Sequence, residues 1–143
     1  MIRVSGEPFD AADALREFMR IAGEGAVASF VGTVRGGIET LTLDHYPGFT
    51  EKQIANLVET LVDRHALTAA SVIHRFGCMR PGETILFAAT AAPHRRAALN
   101  ALDELVELLK TEAPFWKKER RSGVEHWLDA PGSVAPSETW TRA

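Results

Sequence analysis

Lys110 is the first residue whose type and position invite chemistry. Leu102, Val106 and Lys110 follow one another at i, i+4 and i+8, so the lysine continues an apolar helix face. Two readings are open. A lysine near a helix C-terminus can snorkel, resting its stem on apolar surface while the ammonium offsets the helix dipole. Alternatively the amine is partly desolvated. Burial and neighbouring cations both lower a lysine pKa, which makes it a usable base or nucleophile. Just beyond it runs Ala113-Pro114-Phe115-Trp116-Lys117-Lys118-Glu119. The proline stops the helix. Phe115 and Trp116 either close the core over the helix end, leaving the lysines solvated, or fix the backbone so that Lys117 points toward Lys110. Two lysines in one pocket would favour an anionic ligand and depress each other's pKa.

Pro93-His94-Arg95 opens the same helix. Free backbone N–H groups, the positive end of the helix and an arginine make a phosphate site, although basic residues at helix starts are common. A helix from 94 to 110 is roughly 25 Å long, so one small ligand cannot touch both ends of one copy. Either the loop after residue 110 folds back or a second subunit completes the pocket. Arg35 ends Phe30-Val31-Gly32-Thr33-Val34-Arg35 just before Gly36-Gly37, where it serves as an anion ligand or as an ordinary surface arginine. His74-Arg75-Phe76-Gly77 is similar and more ambiguous. His45, His65 and His126 show no HxxxH, HxH or Cys/His spacing, so no structural zinc is expected. Cys78, the one cysteine, excludes an intramolecular disulfide and points to a cytoplasmic setting.

The whole chain has 143 residues, with 16 Lys+Arg against 19 Asp+Glu and a net charge of -3. That balance argues against a general polyanion partner. The average conceals a local excess. Residues 110–121 hold five basic and two acidic side chains, a net +3 that leaves -6 for the rest. An acidic protein with one basic cluster suits a small anion or a carboxylate. No apolar run reaches the ~20 residues of a membrane span, and the N-terminus shows no secretory signal.

Several elements must position these residues. Asp10 caps a helix to about Ile21 with Leu15, Phe18 and Met19 as its stripe. A strand is expected over 26–34, and an alternating one over 38–45 paired with it as a hairpin. Thr50-Glu51-Lys52-Gln53 reads as a capping box opening a second helix. Residues 70–76 and 83–91 read as strands, with a loop over 77–82 between them. Pro93 starts the third helix, lined by Leu99, Leu102, Leu105, Val106 and Leu109. A short strand covers 124–128. The order α-β-β-α-β-β-α-β lacks a βαβ repeat, so the fold class is α+β. There is no GxGxxG after a strand and no P-loop. One domain is expected over 1–130, with a Pro/Ser/Thr-rich tail over 131–143 that is mobile or docked on a partner.

Together these segments resemble the large, catalytic subunit of molybdopterin synthase. The matching pieces are Phe30-Val31-Gly32-Thr33-Val34-Arg35, Leu43-Asp44-His45-Tyr46-Pro47-Gly48-Phe49-Thr50-Glu51, Val72-Ile73-His74-Arg75-Phe76-Gly77, Pro81-Gly82-Glu83, Pro93-His94-Arg95 and Leu109 through Glu119. They stand in the family's order, and the last is the most specific. The resemblance implies an α/β hammerhead fold with an additional antiparallel β subdomain. It implies a homodimer of large subunits within a heterotetramer, each binding a small ubiquitin-like sulfur carrier whose C-terminal Gly-Gly ends in a thiocarboxylate. The reaction it implies places two sulfurs on cyclic pyranopterin monophosphate to form the molybdopterin dithiolene. No cofactor, metal, nucleic acid or membrane is implied for this chain.

Carried over by position, Lys110 and Lys117 match the family's catalytic lysines. Thr33, Val34, Arg35, His94, Arg95, Lys117, Lys118 and Glu119 match its substrate-binding segments. Phe30, Arg75, Arg120 and Arg121 are candidate supporting residues, the last two in place of an arginine that some relatives carry where this chain has Pro131. The loop after Arg35 is shorter than in many relatives. Two other readings compete: a docking module that only receives a Gly-Gly tail, and a small-anion sensor. A pure docking module needs an apolar groove but not both amines.

Overall fold

The computed structural model describes residues 1–128. Asp10 begins the first helix as expected. Its carboxylate accepts from the backbone N–H groups of Ala12 at 2.8 Å and Asp13 at 3.1 Å, satisfying two donors that a helix start leaves free. In chain order the elements are β1 (Ile2–Ser5), α1 (Ala11–Ala22), β2 (Ala26–Thr33), β3 (Thr40–His45), α2 (Phe49–His65), β4 (Ala69–Arg75), β5 (Gly77–Met79), β6 (Thr84–Ala92), α3 (Arg95–Thr111), β7 (Phe115–Arg121) and β8 (Val124–Leu128). Among the described residues these form three helices and two four-stranded sheets, ordered β1-β4-β6-β2 and β5-β3-β7-β8. The α+β class stands.

The expected hairpin between 26–34 and 38–45 does not form. β2 pairs antiparallel with β6 along its whole length, while β3 pairs with β5 and β7 in the other sheet. Val34 explains the parting. Its side chain is buried in the core, its N–H donates to Glu83 O at 2.9 Å, and its carbonyl accepts from Gly82 N at 2.8 Å. The chain is thereby tied to the start of β6 and cannot turn straight back on β2. Alternation within β3 is as expected, with Leu41 and Leu43 buried between half-buried neighbours.

Three strands were not legible as strands. β1 is a short parallel partner of β4, and β5 a three-residue edge inside the expected loop. β7 buries Glu119 where an apolar residue is the usual inward signal, so its sequence reads as a charge run. Ser122 and Gly123, at φ 50° and 76°, make the tight turn from β7 into β8.

Helix boundaries also moved. The α2 cap lies two residues earlier than the expected box: Gly48 N donates to Glu51 Oε2 at 2.6 Å. The Thr50 hydroxyl instead accepts from Tyr46 N at 2.9 Å and donates to Pro114 O at 3.2 Å, tying α2 to the segment between α3 and β7. α3 starts at Arg95 rather than Pro93, because His94 is still extended. Its buried stripe is Ala98, Ala101, Leu105 and Leu109, whereas Leu99 is exposed. Small residues at the first two positions let the helix approach β6, where the Thr90 hydroxyl donates to Ala98 O at 2.7 Å. In α1 only Phe18 is fully buried, and Met19 faces out.

Candidate functional site

The end of α3 and the start of β7 border one cavity, the candidate site. Leu109 buries the last turn of α3, which leaves Lys110 beside it at the rim of a cavity of about 320 Å³. Ala113-Pro114 redirects the chain into β7. A strand sends alternate side chains to opposite faces, so Phe115, Lys117 and Glu119 share one face and Trp116, Lys118 and Arg120 the other. Phe115 and Lys117 line the same cavity as Lys110. The register sets Lys117 between Leu43 of β3 and Leu128 of β8. Phe30, Leu86 and Val106 complete much of the apolar wall. Among the described lining residues, the polar side chains are His74, Lys110 and Lys117.

Removal from water pushes the Lys117 pKa below the ordinary lysine value, the Lys110 charge pushes it further, Glu119 opposes this, and Arg35 adds to the depression. Behind them Glu119 is nearly inaccessible. It accepts from Arg35 at 2.7 Å and from Arg121 at 2.9 and 2.5 Å. The Arg35 hydrogen bond, more than desolvation opposes it, holds the Glu119 carboxyl below the usual range, with Arg121 adding. Glu119 therefore stays ionised and fixes both guanidiniums, although the Arg35 side chain itself remains 67% exposed.

His74 is the residue that sequence reasoning left ambiguous. It lies flat on Phe115 with ring centroids 3.8 Å apart and planes at 14°. His45 lies beyond Phe115 at 6.3 Å and against Phe76 at 4.2 Å, which completes a column of four rings. A histidine within an apolar strand, next to an aromatic, was the available signal.

The other expected residues divide clearly. Phe30 lines the cavity. Thr33 is exposed, and Val34 has its side chain in the core and its backbone groups occupied. Lys118 lies on the far face of β7, 3.2 Å from Glu125 and 5.3 Å over the Trp127 ring. Arg120 reaches Glu39 at 3.5 Å and Glu125 at 3.7 Å. Arg75 is buried and donates to Glu83 at 3.2 Å. His94 and Arg95 are exposed at the other end of the 17-residue α3, which puts them roughly 25 Å from Lys110 in the same chain. Cys78 is exposed on β5. The tail over 131–143, including Pro131, lies outside the described residues. Among the described residues no group of three or more His, Cys, Asp or Glu side chains is placed to hold a metal, and no helix is long and apolar enough to cross a membrane.

Residues 4–112 match the family model described as MoaE protein. That match covers well over half of the chain. The chain belongs to the MoaE family. A molybdopterin synthase catalytic subunit from Rhizobium meliloti (strain 1021) is 40% identical over 99% of this chain and 96% of its own length. A solved MoaE protein of molybdopterin biosynthesis from Burkholderia ambifaria MC40-6 superposes with a TM-score of 0.81 at 36% identity, covering 94% of this chain and 92% of that one. A protein–protein complex of subunits 1 and 2 of molybdopterin-converting factor from Helicobacter pylori 26695 contains the same fold, with a TM-score of 0.77 at 21% identity over 88% of each chain. As a member of the MoaE family, the chain is a molybdopterin synthase catalytic subunit, an enzyme of molybdenum cofactor biosynthesis.

Proposed function

We propose that the cavity between α3 and β7 is where sulfur leaves the C-terminal thiocarboxylate of a small ubiquitin-like carrier for cyclic pyranopterin monophosphate. One observation carries this reading: Lys110 and Lys117, from different elements, face one largely apolar cavity. Apolar walls accept an extended Gly-Gly tail, and the two amines meet the anion at its end. As the thiocarboxylate sulfur bonds to a pterin side-chain carbon, the carbon–oxygen bond it replaces breaks, that oxygen leaving as water or staying on the opened phosphate, and the acyl carbon–sulfur bond must then break by hydrolysis. Lys110 serves there as the base that activates water or as a transient acyl acceptor; the carrier leaves as a carboxylate and the sulfur stays on the pterin. Lys117 orients the tail and stabilises the negative charge that develops on the acyl oxygen. Arg35, held by Glu119, faces the substrate phosphate.

His94 and Arg95 are too far along α3 to serve the Lys110 end of their own chain. They are assigned to the cavity of a second copy in a homodimer, and each dimer with two carriers makes a heterotetramer. The two-sheet split, with β5-β3-β7-β8 set apart, fits the hammerhead arrangement with its additional antiparallel subdomain. The reaction is placed in the cytoplasm.

The test is incubation with thiocarboxylated carrier and cyclic pterin, assayed for dithiolene. The Lys110→Ala protein is expected to fold, dimerise and bind the carrier while making almost no product. Near-normal turnover by that variant would remove Lys110 from the mechanism. No product from the unaltered chain with intact partners would favour a docking module.

A further inference from the structure

His74 carries an additional role, and it rests on the reading that a Gly-Gly tail enters the cavity. The His74 Nδ1 lies 2.9 Å from the carbonyl oxygen of Arg75. A carbonyl oxygen only accepts, so Nδ1 holds the hydrogen. The ring is pinned flat on Phe115, which fixes its orientation. Burial pushes its pKa down to about 4; the Arg75 hydrogen bond opposes this, and Lys117 and His45 add to the depression. The imidazole is thus neutral at physiological pH, and Nε2 keeps a free lone pair.

That lone pair stands out against its surroundings. Lys110 and Lys117 supply ammonium donors and no acceptor. They satisfy a thiocarboxylate but not the backbone N–H groups of the tail that bears it. Those donors lose water on entering an apolar cavity and need an acceptor. We propose that His74 is a tail-binding residue whose Nε2 accepts a hydrogen bond from a backbone N–H of the terminal Gly-Gly, setting how deep the tail enters. A neutral acceptor does this without adding a third positive charge beside the two amines.

The test uses the full chain and semisynthetic carriers with a C-terminal carboxylate, in which either of the last two amides is replaced by an ester. The ester removes one N–H and keeps the shape. One of the two ester carriers is expected to bind the unaltered chain about tenfold more weakly, the effect of one net hydrogen bond. His74→Phe keeps the stacked ring but not the acceptor, and should bind amide and ester carriers equally. His74→Gln should recover part of the discrimination. In the unaltered chain, the ¹⁵N resonance of His74 Nε2 should shift with the amide carrier and not with that ester carrier, a readout independent of any variant's folding. Equal ester losses with and without His74, or an unmoved Nε2 resonance, would overturn the assignment alone. A carrier that fails to bind the unaltered chain would overturn the tail reading with it.

Discussion

The two faces of β7 carry the same residue types to different ends. One face presents Phe115, Lys117 and Glu119 toward the cavity and the core, where Lys117 lines an apolar wall beside Lys110 and Glu119 is nearly inaccessible. The other presents Lys118, mostly covered and paired with Glu125, and Arg120, which reaches Glu39 and Glu125. The net +3 of residues 110–121 is therefore not one patch. It is a pair of amines lining one cavity, a buried carboxylate that holds Arg121 and, from outside the stretch, Arg35, and an ion-pair network with Glu125 and Glu39. What differs is the company each lysine keeps: Lys117 meets the like charges of Lys110 and Arg35, whereas the Lys118 charge is matched by Glu125.

The contrast can be broken most severely at the lysines. Lys117→Ala should slow dithiolene formation by about 100-fold or more, within the range for loss of a positioned proton-transfer or charge-stabilising group. Lys118→Ala, one residue away on the other face, should change the rate by about twofold at most. Equal losses would mean that the faces do not divide the work.

A second test concerns stability and pH. His74 has a folded-state pKa of about 4 against an ordinary 6.5. Between those values the unfolded chain binds the proton and the folded one does not. Stability from this group is therefore fully present above 6.5 and is lost as pH falls toward 4. The loss is about 3 kcal/mol if the whole shift is expressed. Urea unfolding of the unaltered chain and His74→Phe across that window should show the difference, with the variant's slope flatter.

Glu119→Gln removes the charge that holds Arg35 and Arg121. A cost of about 2 kcal/mol is expected, since hydrogen bonds to charged groups are lost while both arginines can reach water. It should shrink as pH falls through the carboxyl's depressed pKa, where the native Glu119 is itself protonated. The smallest effect belongs to the outer face: Lys118→Ala should cost under about 1 kcal/mol, the usual worth of a partly exposed ion pair and cation–π contact.

Much of this arrangement was legible in the residues. Leu102-Val106-Lys110 spacing brought the amine to the cavity rim, where Lys110 is nevertheless exposed, and the Pro114 stop with its following aromatics suggested a return toward Lys110. What was not legible depended on tertiary pairing. Val34 reads as the continuation of a strand, yet its backbone bonds to Gly82 and Glu83 part β2 from β3 and create two sheets. β7 was hidden because Glu119 takes an inward position with two arginines as its compensation. Leu99 looked like a core residue, but close approach of α3 to β6 selects Ala98 and Ala101 instead. His74 could not be assigned because its chemistry comes first from burial, and its ring is held by Phe115, which is distant in sequence.

The central claim is that Lys110 and Lys117 work in one cavity. The most direct measurement is an NMR titration of the Lys117 side chain in the unaltered chain and in Lys110→Ala. Lys117 should titrate below the ordinary lysine value in the first and shift upward in the second, because a neighbouring positive charge has gone. An identical titration in both proteins would contradict the claim.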